Sequence, residues 1–90
     1  MNNILINKDF PEIRIDNTEL LLTKKEFDLF ILLWEHKGKV CTPSFIKNKI
    51  WGGSYHENGR IVDSLITRLR KKIKRYINIV NRKGFGYLIV

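Results

Sequence analysis

Acidic residues are scarce in the second half of this chain. Residues 41–90 hold eleven lysines and arginines against Glu57 and Asp63, a net of +9. Residues 1–40 hold six basic and seven acidic residues, a net of −1. Solubility alone would not require so lopsided a field; it draws a polyanion to one side of the molecule, nucleic acid first and an anionic membrane surface second. Cysteine is nearly absent. Cys41 has no partner within the chain, which excludes an internal disulfide and points to a small buried or semi-exposed thiol and a reducing, cytoplasmic setting. No apolar run approaches the roughly 18 residues of a membrane span, and the start carries no signal-peptide pattern. His36, His56, Cys41 and the scattered carboxylates show no metal-ligand spacing. There is no glycine-rich phosphate loop, nucleophile elbow or paired acid and base, so enzymatic chemistry, a metal and a cofactor are not expected.

Ninety residues, 43% of them hydrophobic, suffice for one domain with a single modest core, assigned to 1–90. The first 22 residues predict a small antiparallel meander. Ile4 and Ile6, then Ile13 and Ile15, alternate with polar neighbours; Asp16-Asn17 is a turn signal, and residues 19–22 form a third strand. Thr23-Lys24-Lys25-Glu26 is a capping box, with Leu22 and Phe27 placed for a hydrophobic staple. The helix that follows carries Phe27, Phe30, Ile31, Leu33 and Trp34 and should stop near Lys37-Gly38. His36 falls near that helix end, where a ring can cap. Thr42-Pro43 opens a second helix, with Phe45, Ile46 and Ile50 on its buried side and Trp51-Gly52-Gly53 at its end. Residues 52–58 form a connector in which Tyr55 is an exposed aromatic and His56 is polar-loop filler; Asn58 caps the next helix.

That next helix, about 59–75, is the most informative segment. Val62, Ile66, Leu69 and Ile73 recur at spacings of four, three and four and share one face. At about 100° per residue, Ser64, Arg68, Lys71 and Arg75 lie opposite, with Arg70 and Lys74 on one flank and Ile61 and Lys72 on the other. A helix about 10–12 Å across fits a major groove about 12 Å wide. A solvated basic face on a core helix and a membrane-surface helix remain alternatives. Asp63 is either an orienting acid, with Thr67 and Arg70 on its side, or a solvated acid at a positive helix start. Behind the helix, residues 76–80 and 87–90 read as strands around a glycine-containing tip, residues 81–86, with Arg82 and Lys83 as its cations. A basic hairpin directly after a basic helix is a wing, about 77–90, able to lie on the DNA backbone or enter the minor groove.

Four motifs in order now resemble one family, the C-terminal effector domain of OmpR/PhoB-type response regulators. They are Leu22-Thr23-Lys24-Lys25-Glu26-Phe27-Asp28-Leu29-Phe30; Ile50-Trp51-Gly52; Arg60-Ile61-Val62-Asp63 with Ile66-Thr67-Arg68-Leu69-Arg70-Lys71-Lys72; and Lys83-Gly84-Phe85-Gly86-Tyr87. The resemblance implies an α+β winged helix-turn-helix with a four-stranded antiparallel N-terminal sheet, three helices and a C-terminal β-hairpin wing. Its implied function is sequence-specific binding of double-stranded DNA in transcriptional regulation, at direct-repeat half-sites and usually as a tandem dimer. Matched positions make Ile61, Ser64 and Arg68 base-facing, with Arg68 suited to bidentate contact with a guanine. Arg60 and Trp51 match phosphate contacts, Thr67 and Lys71 add to them, and Lys83, Gly84 and Tyr87 match wing and backbone positions. Leu65 and Thr67 stand where relatives often carry polar or basic residues, and Lys83 lacks the planar fork of an arginine. Residues 52–58 match a segment that can meet RNA polymerase; the alternative function is a protein-interaction module that contacts polymerase or a receiver domain without DNA specificity. No receiver domain fits in 90 residues, and the prompt entry of Met1-Asn2-Asn3 into the first strand favours an excised output domain over a natural single-domain relative.

Overall fold

The computed structural model describes residues 3–7, 9–52 and 60–90. Strands β1 (Ile4–Asn7), β2 (Glu12–Ile15) and β3 (Thr18–Leu21) form an antiparallel sheet in sequence order. Ile4 faces Ile15 and Ile6 faces Ile13, so one face of the sheet carries the isoleucines inward while Leu5 and Leu21 point to solvent. Asp16 and Asn17 both take positive φ, 49° and 71°, as a two-residue turn matching the twist of its strands requires. Three strands form here among the described residues, not the four the resemblance implies. Among the described residues before Thr23, three four-residue strands and the turns between them take up all but Asn3 and Leu22.

Helix α1 (Lys24–Glu35) starts as the capping box predicts. The Glu26 amide donates to Thr23 Oγ1 at 3.2 Å and the Thr23 amide donates to Glu26 Oε1 at 2.9 Å. Its C-cap is His36, whose Nδ1 lies 2.9 Å from the Leu32 carbonyl and whose ring meets Phe45 edge-on. Gly38, at φ 85°, then turns the chain. Helix α2 (Pro43–Trp51) has Thr42 as N-cap, accepting from the Phe45 amide at 3.1 Å, and Pro43 in its first turn. Helix α3 (Arg60–Ile73) and the hairpin β4 (Ile79–Arg82) with β5 (Gly86–Ile89) complete the chain. The expected cap at Asn58, with Tyr55 and His56, lies outside the described residues.

Several boundaries differ from expectation: β3 and β5 each lie one residue earlier than the expected 19–22 and 87–90, and two differences are larger. Residues 74–76 continue the last turn of α3, with the Tyr76 and Ile77 amides donating to the Ile73 carbonyl, so β4 begins at Ile79 and not at Tyr76. Asn81 and Arg82 pair with Tyr87 and Gly86 within the ladder, which shortens the hairpin tip to residues 83–85.

The core joins all layers: Ile13 and Ile15 from the sheet, Leu29, Phe30 and Leu33 from α1, Ile46 from α2, Ile79 and Ile89 from the hairpin. From α3 it takes Val62, Ile66, Leu69 and Ile73 as predicted, together with Leu65, which is 1% exposed. Leu65 is therefore packing and not a departure within the contact set. It stands three residues after Val62 and four before Leu69, so its own spacing placed it on the apolar stripe.

The hairpin is bolted to the start of α2. Cys41 and Tyr87 exchange backbone hydrogen bonds of 2.8 and 3.0 Å, and the Gly38 amide reaches the Ile89 carbonyl at 2.7 Å. Gly86 permits that approach: at φ 155°, any Cβ there would sit 2.1 Å from the Cys41 carbonyl oxygen. Cys41 is buried, and burial pushes its thiol up.

Candidate nucleic-acid interface

With five residues of α3 in the core, helical geometry leaves the opposite face in water. Arg60, Ser64, Thr67, Arg68, Lys71, Lys74 and Arg75 are exposed there, and Ile61 is half-buried at the edge. Asp63, Ser64, Thr67 and Arg68 line one shallow depression on that face. The Thr67 hydroxyl donates to the Asp63 carbonyl one turn back at 2.9 Å, so its proton is already engaged when a phosphate approaches.

Both flanks of α3 are tied down by polar contacts that no sequence pattern revealed. On one side Lys72 Nζ sits 2.6 Å from Glu26 Oε1, the same oxygen that caps α1. Glu26 is 2% exposed. Its burial raises the carboxyl, but the Lys72 ammonium and the Thr23 donors outweigh that and hold it below the usual carboxylate range. Lys72 thus belongs to the scaffold and not to the open cationic strip.

On the other side the hairpin is clasped twice. Arg70 Nη2 donates to the Ile79 carbonyl at 2.8 Å, and the Tyr87 hydroxyl donates to Asp63 Oδ1 at 2.5 Å. Asp63 is thus an orienting acid whose partner is Tyr87, 24 residues away, and not the side chain of Arg70. Tyr87 is 9% exposed. Burial, then the hydrogen bond to Asp63 and its charge, push its phenol up to about 12 against an opposing pull from Arg70. A ring so enclosed holds the hairpin against the helix.

Trp51 closes α2 half-buried, with Lys25 Nζ 5.5 Å from its ring centroid and also donating to the Ile50 carbonyl at 3.2 Å. Arg82, Lys83 and Gly84 are exposed on the hairpin, and so is Phe85, at 72%. The signal of Phe85 in the sequence is its place between two glycines of a basic tip.

A cationic helix with one face wholly in the core, preceded by a second helix and followed by a hairpin fastened along its flank, defines a winged helix-turn-helix DNA-binding domain. Residues 17–89 match the family described as transcriptional regulatory protein, C terminal. Over 83 residues the chain is 37% identical to the transcriptional regulatory protein CssR of Bacillus subtilis, covering 91% of this chain and 36% of CssR. Over 92 residues it is 36% identical to the response regulator ArlR of Staphylococcus aureus, covering 99% of this chain and 42% of ArlR. Its fold is similar to that of the DNA-binding domain of B. subtilis CssR, with a TM-score of 0.89, 35% identity and coverage of 98% of this chain and 100% of that one. It is also similar to the DNA-binding domain of the response regulator AdeR in complex with an intercistronic region, with a TM-score of 0.85, 27% identity and coverage of 99% and 95%. The chain belongs to this family of transcriptional regulatory protein C-terminal domains, which are DNA-binding domains of transcription factors and not enzymes. It spans about two-fifths of the length of these curated relatives.

Proposed function

We propose that this domain binds specific duplex DNA sequences to regulate transcription, as the output domain of a two-component response regulator acting in the cytoplasm. The observation that carries the reading is the exposed strip of Arg68, Lys71 and Arg75 on a helix whose other side is core, with the hairpin cations fastened beside it. In this reading α3 enters the major groove. Arg68 reaches a guanine edge, and Ile61 and Ser64 face bases. Arg60, Trp51 and Lys71 meet phosphates, Thr67 joins them only by turning its hydroxyl away from the Asp63 carbonyl, and Arg82, Lys83 and Gly84 lie on the backbone or in the minor groove. Tyr87, enclosed and bonded to Asp63, acts by positioning the hairpin. Tandem occupancy of direct repeats, and contact with RNA polymerase through residues 52–58, extend the reading on the strength of family resemblance.

The test is selection of bound duplexes from a randomised pool, followed by titration across salt. Neutralising about four to six phosphates gives a slope of log affinity on log salt near −4 to −5. Arg68→Ala lowers affinity for the selected site by about 1–3 kcal/mol and relaxes preference at one base pair. An Arg68→Ala protein with unchanged base preference refutes the assigned face.

A further inference from the structure

We propose that Phe85 is a minor-groove wedge: an apolar side chain that presses into a deformable base step beneath the hairpin. This rests on the DNA-binding reading above and adds to it a contact that reads DNA deformability instead of charge.

The hairpin's direction comes from its two clasps. Its base, at Ile79, lies against Arg70 in the later turns of α3, and its middle, at Tyr87, lies against Asp63 in the first turn. The hairpin therefore runs antiparallel to α3 along one flank and aims its tip past the helix start. Phe85 stands two residues beyond Tyr87, about 7 Å further along at the usual strand rise. The tip is short and closed, with the Phe85 amide donating to the Arg82 carbonyl at 2.8 Å. Its root is fixed by Gly86 against Cys41, so the aromatic ring is carried on a stiff support.

Single exposed apolar residues are common on protein surfaces and ordinarily mean nothing. Phe85 differs in its setting. Phe85, 72% exposed, lines one shallow depression of the tip with Lys83 and follows Arg82 by three residues, and the attraction of those cations to phosphates brings it against a duplex. Apolar wedges of this kind partly unstack a base step, most easily at flexible pyrimidine–purine steps.

The experiment uses the 90-residue chain and one half-site duplex recovered from a randomised pool, with TA or GC placed at the step the hairpin protects from cleavage. A 2-aminopurine at that step reports unstacking. The wild-type chain should favour TA over GC there and brighten the probe. Phe85→Ala should weaken binding to the TA duplex about five- to a hundredfold, the span for losing one base–aromatic contact. It should also silence the probe, with salt slope and melting temperature unchanged because no charge or core contact is lost. Phe85→Leu should keep most of the affinity. Lys83→Ala should instead flatten the salt slope by about one and leave the TA preference in place. The wedge is overturned if Phe85→Ala binds the half-site as tightly as wild type, or if its loss appears only as weaker cooperativity on two half-sites, which would make Phe85 a contact between copies. A wild-type chain that binds no duplex at low salt overturns the DNA-binding reading together with the wedge. Normal binding with a silent probe overturns the wedge alone.

Discussion

Tyr87→Phe removes one hydroxyl from the clasp between the hairpin and α3 and changes nothing else in shape. The lost hydrogen bond runs to a charged acceptor, a class worth about 1.5–3 kcal/mol. Asp63 is exposed, so its freed carboxylate is rehydrated, and the net loss should fall to about 1–2 kcal/mol. For a domain of this size that lowers the melting temperature by roughly 5–15 °C. Asp63→Ala should cost more, because it strands a buried phenol without its acceptor and removes an acid from the first turn of α3. Urea unfolding of the two single variants and the double variant gives the coupling directly, with a value of about 1 kcal/mol or more expected. The pH dependence has a definite sign. The folded phenol is raised from its usual 10 to about 12, so its contribution is complete below pH 10 and is lost as pH climbs through 12. The stability gap between wild type and Tyr87→Phe should therefore be constant near neutrality and close across that alkaline window. A coupling below about 0.3 kcal/mol, or a gap that widens above pH 10, refutes the clasp.

Three further outcomes follow from the packing. Glu26→Gln should destabilise by about 1–3 kcal/mol and flatten the acid limb of the stability curve. The wild-type carboxyl titrates below its ordinary 4.5, so its contribution is present above that pH and is lost as pH falls through the lower folded value; acid titration of both proteins by circular dichroism measures this. Gly86→Ala should cost about 3 kcal/mol or more, because its Cβ meets the Cys41 backbone and breaks the exchange with Tyr87; hydrogen exchange at the Cys41 and Tyr87 amides should rise, and unaltered protection would count against the fit. Leu65→Ala should cost about 2–5 kcal/mol in chemical unfolding, whereas a loss under 0.5 kcal/mol would return Leu65 to the exposed face.

The local features were legible because their physics is local. A Thr-x-x-Glu box, a Thr-Pro helix start, alternating isoleucines and an Asp-Asn turn each fix a few neighbouring dihedrals, and each appears where the sequence places it. The face carrying Arg68, Lys71 and Arg75 was readable for the same reason, since helical period is a property of consecutive residues. Leu65 is legible in the same way, since its spacing from Val62 and Leu69 puts it on the apolar stripe whatever relatives carry there. Strand ends were less so: Tyr76 has the composition of a strand residue, but the helix preceding it keeps its amide on Ile73.

The sequence by itself thus determined the elements, their order, the uneven charge and the cationic stripe of α3. Only the tertiary structure decided which cations are tied to other parts of the fold. Lys72 and Arg70 resemble their neighbours in any charge count, yet one is held by Glu26, 46 residues away, and the other by the Ile79 carbonyl. Tyr87 likewise became a clasp because folding brought it to Asp63. Such pairings depend on distances set by the whole core, and no spacing along the chain encodes them.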